Sequence, residues 1–214
     1  MVACYRIEVI DDDPAVLEMA CCCLRSSGDI ECAGYRNAAE FLSQFEPGKV
    51  DCIVADLRMP QLDGGELQKQ ILERDPLVSF VFVTGFADVR TAVRLMEQGA
   101  FTLLEKPFLP EALTNAALAA AERTRQRRSQ QYSKQEAELL LGALTDDEYK
   151  ILECVMAGLP NKAIAHQLTL ASRTVDRRRQ SILQKLKVKS VAELAATVAR
   201  CKAALQQETS LKAS

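Results

Sequence analysis

Four short apolar runs, at residues 7–10, 52–55, 80–83 and 101–104, are each followed within two residues by a polar side chain capable of chemistry. The runs are partly β-branched or aromatic, and longer helix-like segments separate them. That alternation is the pattern of a parallel sheet covered on both faces by helices. In open sheets of this kind, ligands bind in the crevice outside the carboxyl ends of the strands. The residues to inspect are therefore Asp11, Asp12, Asp56, Thr84 and Lys106, which four strand ends would deliver to one rim.

The spacing predicts strands near 5–10, 30–34, 51–55, 79–83 and 101–105, and helices over 14–27, 38–45, 64–74, 88–98 and from about 110. Five βα units make one compact domain. Pro14 suits a first helical turn behind a capping Asp13, and Gly28 and Gly99 suit helix ends. Residues 122–138 are almost wholly polar and carry Arg123, Arg125, Arg127 and Arg128 without Gly or Pro. This predicts a helical linker, continuous with the preceding helix, whose basic residues form a solvated face. Beyond Leu144 the pattern is purely helical, over 145–157, 161–168, 172–186 and 191–201. Thr145-Asp146-Asp147-Glu148 has the form of a capping box, and the tight turn Thr169-Leu170-Ala171 suggests a helix-turn-helix. The expected organisation is a domain over 1–122, a linker over 123–143, a four-helix domain over 144–205 and a tail over 206–214.

Charge separates the two halves. Residues 1–122 hold 10 Lys+Arg against 20 Asp+Glu, a net of −10, whereas residues 123–214 hold 17 against 9, a net of +8. A basic part suggests a polyanionic partner such as nucleic acid, and clustered carboxylates suggest a cation. None of the eight cysteines forms a C-x-x-C pair and His166 is the single histidine, which disfavours a zinc site. With no signal peptide and no apolar run near 18 residues, the expected setting is a reducing cytoplasm without membrane contact. There the cysteines, Cys21 to Cys23 included, serve as small buried hydrophobes.

Three carboxylates cannot share a rim at neutral pH without compensating charge, because like charges repel and raise one another's pKa. Lys106 supplies one positive charge, and an oxygen-only ligand set is what Mg²⁺ takes while keeping several waters. Such a site can draw a phosphoryl group onto a carboxylate oxygen.

The stretches Val9-Ile10-Asp11-Asp12-Asp13-Pro14-Ala15-Val16, Asp56-Leu57-Arg58-Met59-Pro60 with Gly64, Val83-Thr84-Gly85 and Leu104-Glu105-Lys106-Pro107-Phe108 carry a resemblance. Joined to the C-terminal motif, the chain resembles two-component response regulators of the FixJ-like branch, with a receiver and a LuxR-type helix-turn-helix. The resemblance implies a flavodoxin-like five-stranded sheet of order 2-1-3-4-5. It makes Asp56 the phosphoacceptor, Asp12 a direct Mg²⁺ ligand, Asp11 a ligand acting largely through water, and the Arg58 carbonyl a further ligand. Thr84 and Lys106 would hold phosphoryl oxygens, and the Lys106–Pro107 peptide would be cis. A sensor histidine kinase is the implied phosphodonor; the receiver promotes its own phosphorylation and dephosphorylation and is otherwise no enzyme. One departure is Leu103, which stands where the family usually carries an aromatic, with Phe101 two residues earlier. Val89, Val93 and Met96 recur at helical spacing beside Thr84, marking a homodimer formed on phosphorylation through the fourth helix and fifth strand, although such residues serve equally as sheet-facing core.

In the C-terminal part, Gly158-Leu159-Pro160-Asn161-Lys162-Ala163-Ile164-Ala165, then Thr174-Val175 and Ile182-Leu183-Gln184-Lys185-Leu186, resemble the LuxR-type motif. Ile164, Val175, Ile182, Leu183 and Leu186 are its expected core. The second helix would enter the major groove of double-stranded DNA. By position, Asp176, Arg177 and Gln180 would face base edges, and Lys162, Thr174, Arg178 and Lys185 would meet phosphates. Arg177, Arg178 and Arg179 cannot all face one way, since successive residues turn about 100° around the axis; Arg179 is expected in solvent. Asp176 is expected to pair within its own helix, with Arg179 or Gln180. Ala171 stands at the usual Ser cap, so Ser172 is expected to take over as cap. The function implied is a phosphorylation-controlled transcription factor, with RNA polymerase a further partner. Two alternatives are a phosphate-independent DNA-binding or scaffold protein with a vestigial acid site, and a haloacid-dehalogenase-like phosphatase suggested by Asp11-x-Asp13. The phosphatase pattern has no place for Ala15 or for Asp56-x-Arg-Met-Pro.

Overall fold

The structure, a computed structural model, describes residues 4–85 and 89–211, with the backbone alone for Val89 and for 207–211. The chain divides into two compact units, Met1–Arg128 and Ser129–Ser214. In the first, β1 (Tyr5–Ile10), β2 (Ile30–Tyr35), β3 (Cys52–Asp56), β4 (Ser79–Thr84) and β5 (Thr102–Glu105) form one parallel sheet in the order β2-β1-β3-β4-β5. Between them run α1 (Pro14–Arg25), α2 (Ala38–Gln44), α3 (Gly64–Arg74) and α4 (Val89–Glu97), and α5 (Pro110–Gly142) follows. The strands are those the spacing predicts, and their order is the one the resemblance implies.

Period-two alternation along buried strands gives the sheet two cores. Ile10, Ile53, Ala55, Phe80 and Phe82 pack with Phe41, Leu67, Ile71 and Leu95 on one face. Ile7, Val9, Cys52, Val54, Val81 and Val83 pack with Leu24, Leu113, Ala117 and Ala120 on the other. Leu103 joins the first cluster, whereas Phe101, ahead of β5, joins the second and lies under the Arg123 guanidinium, 5.8 Å from its ring centroid. Phe101 therefore does not replace the missing aromatic, because it belongs to the opposite face of the sheet.

The first unit runs past the expected boundary at 122, and the basic run is not a solvated face. Thr124 is fully buried and accepts from the Ser79 amide at 3.0 Å. Arg125 pairs with Asp51 at 2.7 Å, and Arg128 with Asp75 at 2.6 Å and Asp51 at 3.6 Å. Arg127 donates to the carbonyls of Leu77 and Pro76 at 3.4 and 3.3 Å. Asp51 and Asp75 precede β3 and β4, so these arginines neutralise carboxylates at the amino-terminal edge of the sheet. Local composition could not reveal partners 50 and more residues away.

In the second unit the end of α5 packs Ala137, Leu140 and Leu141 with α6 (Asp146–Met156), α7 (Asn161–Gln167), α8 (Ser172–Lys185) and α9 (Val191–Leu211). Its core is Ile151, Leu152, Ile164, Val175, Ile182, Leu186, Leu194 and Val198, with Leu183 only half-buried at its margin. The capping box at Thr145 and Glu148 forms as predicted. Helix α9 runs ten residues beyond the expected 201, and α8 begins after Ala171 with no side-chain cap, so Ser172 is its first residue and not its cap.

Candidate functional site

Register builds the acid rim. Ile10 lies opposite Ala55, Asp56 opposite Val83 and Thr84 opposite Glu105, so the residues at and just beyond these strand ends share one edge. The Lys106 amide donates to the Thr84 carbonyl at 2.8 Å, which carries the lysine one residue past β5. From there its ammonium reaches Asp11 at 2.6 Å and Asp56 at 2.8 Å. Asp11, Asp56 and Thr84 are buried, at 2%, 9% and 1% exposure, while Asp12 is exposed. The three carboxylates each offer an oxygen within 4.8 Å of the others.

Local structure fixes each acid. Asp13 caps α1 by accepting from Ala15 and Val16, and its own amide donates to Asp11 Oδ1 at 3.0 Å. Asp56 Oδ1 accepts from the Arg58 amide at 3.0 Å, leaving Oδ2 to the lysine. Gly64 opens α3 against the end of β3, its amide donating to the Leu57 carbonyl at 3.0 Å. A Cβ there would stand 2.5 Å from the Asp56 carbonyl oxygen and 3.0 Å from the Phe82 ring, so only glycine allows this approach. Burial pushes the Asp11 carboxyl up, against the lowering pull of Lys106. Burial alone would lower Lys106, but its hydrogen bonds to Asp11 and Asp56 outweigh that and hold it above its ordinary value. The Lys106–Pro107 peptide is cis, as anticipated.

On α8, Val175 and Ile182 turn inward, as does Leu186 at its C-cap, and Arg173, Asp176, Arg177, Gln180 and Gln184 form an exposed stripe. Arg177, Asp176 and Gln180 thus share the outer face that the sequence suggests. Arg173 and Gln184 complete it and were not anticipated; counting i−4 and i+7 from Arg177 would have found them. Lys162 is exposed on α7 and Thr174 half-buried on α8. Two other expected phosphate contacts form ion pairs with α6. Lys185 pairs with the buried Glu148 at 2.6 Å, and Arg178 pairs with Asp147 at 2.7 Å. Asp176 does not rely on its own helix: Asn161 of α7 donates to it and accepts from Arg179, which is half-buried and not in solvent. His166 is exposed.

Residues 7–118 match the response regulator receiver domain, and residues 142–198 match the bacterial regulatory proteins of the luxR family. The transcriptional regulatory protein FixJ of Azorhizobium caulinodans is 37% identical over 88% of this chain and 89% of its own length. The response regulator protein TodT of Pseudomonas putida is 32% identical over 94% of this chain and 88% of its own. Among solved structures, response regulator StyR superposes with a TM-score of 0.79 at 36% identity, covering 92% of this chain and 100% of that one. Full-length FixJ from B. japonicum gives 0.57 at 30% identity, over 94% of this chain and 98% of that one.

This chain belongs to the response regulator family.

It is a two-component transcriptional response regulator, with a receiver implying a histidine kinase partner and a LuxR-type domain implying DNA. The second acid of Asp11-x-Asp13 is the cap of α1. Among the described residues, no helix is long and apolar enough to cross a membrane.

Proposed function

We propose that Asp56 of this response regulator accepts a phosphoryl group in a Mg²⁺-dependent reaction, with phosphohistidine of a sensor kinase as donor. The observation that carries this reading is the reach of Lys106 to Asp11 and Asp56 together, beside the exposed Asp12. The donor set fits Mg²⁺: carboxylate oxygens only, close together, open to water on the Asp12 side. Asp11, Asp12, Asp56 and the Arg58 carbonyl would hold the ion, which supplies charge neutralisation for the phosphoryl oxygens. Asp56 attacks phosphorus through Oδ2, the oxygen now held by Lys106, as the P–N bond to the donor breaks and its imidazole leaves, taking up a proton from solvent, while Oδ1 stays on the Arg58 amide. Lys106 then exchanges a carboxylate oxygen for a phosphoryl oxygen, and the Thr84 hydroxyl holds another. The chain hastens its own phosphorylation and hydrolysis and acts on no other substrate.

The phosphorylated form is a homodimer through the outer face of α4. Val93 and Met96 are 51% and 46% exposed there, while Leu95 fills the core role in the same helix; Val89 lies outside the described side chains. Arg177 and Gln180 read base edges in the major groove, Lys162 and Thr174 meet phosphates, and bound DNA brings the protein to RNA polymerase in the cytoplasm.

Radiolabelled small phosphodonor should label the wild type only with Mg²⁺ and should not label Asp56→Asn. Label persisting in that variant would assign the phosphate to another residue. A wild type that binds DNA unlabelled under all conditions would make the acid rim vestigial. Light scattering with beryllofluoride tests the dimer, whose mass should double; an unchanged monomer rejects the α4 face.

A further inference from the structure

Where α7 meets α8, one amide side chain holds two charged ones. Asn161 opens α7 without capping it, since Pro160 is the N-cap and the helix has no side-chain cap. Its amide crosses to α8 instead, donating through Nδ2 to Asp176 Oδ1 and accepting through its own oxygen from Arg179. The amide can stand only this way round, because a carboxylate solely accepts and a guanidinium solely donates. Asp176 and Arg179 lie three residues apart on α8, a spacing at which opposite charges ordinarily pair with each other. Here Asn161 gives each a neutral partner, and among the described residues Asp176 takes no ion pair and no hydrogen bond engages its Oδ2. Asp176 is exposed all the same, in the outer stripe with Arg173, Arg177 and Gln180.

We propose that Asp176 selects a cytosine in the operator by accepting from its exocyclic N4 amine, and that Asn161 is the residue that positions it. This rests on the reading of α8 as the helix in the major groove. A carboxylate needs a donor, and the donors on base edges in that groove are cytosine N4 and adenine N6. Adenine sets its N7 acceptor beside the amine, where it repels a carboxylate, whereas cytosine sets only C5–H there. With Oδ1 held by Asn161, Asp176 offers Oδ2 alone, which suits the single polar group of the cytosine edge. Arg173, one turn before, and Arg177, the next residue, are both exposed and offset a negative charge that DNA phosphates would otherwise oppose. Without the Asn161 amide, Arg179 would draw the carboxylate along the helix surface and withdraw the acceptor from the groove. Asn161 therefore acts through Asp176 and touches no base itself.

The full-length protein, with and without a small phosphodonor, is used to select sites from a randomised double-stranded library. Affinity is then measured on the selected site with each cytosine replaced in turn by pyrimidin-2-one, which lacks the 4-amino group. Wild type should lose about five- to tenfold at one cytosine, the lower range for a base contact made through one oxygen. Asp176→Ala should bind the unmodified site more weakly and be indifferent to that replacement. Asn161→Leu should be indifferent too, while keeping the base preference that Arg177→Ala removes at another position. Wild-type binding that no amine deletion weakens would overturn the cytosine contact, a result that depends on no variant's folding, and so would a loss that Asp176→Ala retains in full. An Asn161→Leu protein that keeps the loss, or that weakens on all sequences alike, would overturn the positioning role. A library that yields no preferred site in either state, or a site indifferent to Arg177→Ala and Asp176→Ala together, would reject α8 as the reading helix and this proposal with it.

Discussion

The acid rim of the receiver and the outer surface of the DNA-binding domain both hold concentrated charge, and they control it by different means. At the rim, strands locked in one sheet deliver every group, and a single lysine compensates two buried carboxylates across 50 and 95 residues of sequence. In the DNA-binding domain, short helices compensate one another: the acidic first turn of α6 takes Arg178 and Lys185 from α8, and Asn161 of α7 bridges Asp176 and Arg179. A ladder of backbone hydrogen bonds sets the first arrangement, so it survives changes in neighbouring side chains. Side-chain pairs set the second, which ties Arg178 and Lys185 to α6 in this structure.

The largest effect expected from breaking this contrast is at Gly64. Gly64→Ala drives a Cβ into the backbone of Asp56, for a cost of about 3 kcal/mol, at the upper end for overpacking because the obstacle is main chain. Phosphate uptake should fall with it. Gly142→Ala, where nothing lies within 4 Å, should leave stability unchanged or slightly raised in the same urea titration. Equal losses at the two positions would show that the rim does not depend on the α3 approach.

Next in size is Glu148→Gln, expected to cost about 2 to 3 kcal/mol, less than a fully buried pair because Lys185 is 34% exposed. Burial alone would raise the Glu148 carboxyl, but Lys185, Ser181 and the Thr145 amide outweigh it and hold the pKa at about 2, against 4.5 ordinarily. A depressed carboxylate stabilises the fold above its unfolded pKa, and that contribution is lost as pH falls through the folded value. Hydrogen exchange of α6 and α8 amides should therefore show wild type losing protection between about pH 4.5 and 2, for about 1 to 3 kcal/mol. The glutamine variant should lose less across that window. Parallel curves would mean that Glu148 titrates normally.

Smaller still are the DNA effects, which separate residues facing outward from those turned inward. Arg177→Ala should cost about 1 to 3 kcal/mol at one base position. Lys162→Ala should weaken all sequences alike and lower the salt slope by about one. Lys185→Ala should leave that slope unchanged, since its ammonium belongs to Glu148. A slope reduced in Lys185→Ala, measured over a randomised operator library, would return this residue to the phosphates.

How much was legible in advance follows the same division. Strands β3 and β4 announce themselves because a strand buried on both faces must be apolar, and the shorter apolar runs of β1 and the half-buried β5 keep the same spacing, so the polar residue after each lies at the rim. Hence Asp11, Asp56, Thr84 and Lys106 could be placed from spacing, as could the caps at Asp13 and Thr145, whose partners lie within three residues. The fates of Arg125, Arg128, Arg178 and Lys185 were not legible. Each is a long, charged side chain on a helix, and helical periodicity gives its direction without saying what carboxylate another element has brought there. The sequence by itself determined the sheet, its order of chemistry-bearing ends and the helix-turn-helix, because burial and capping act over short range. Only tertiary structure decided which charges were paired, because that depends on residues far apart in the chain arriving within hydrogen-bond reach.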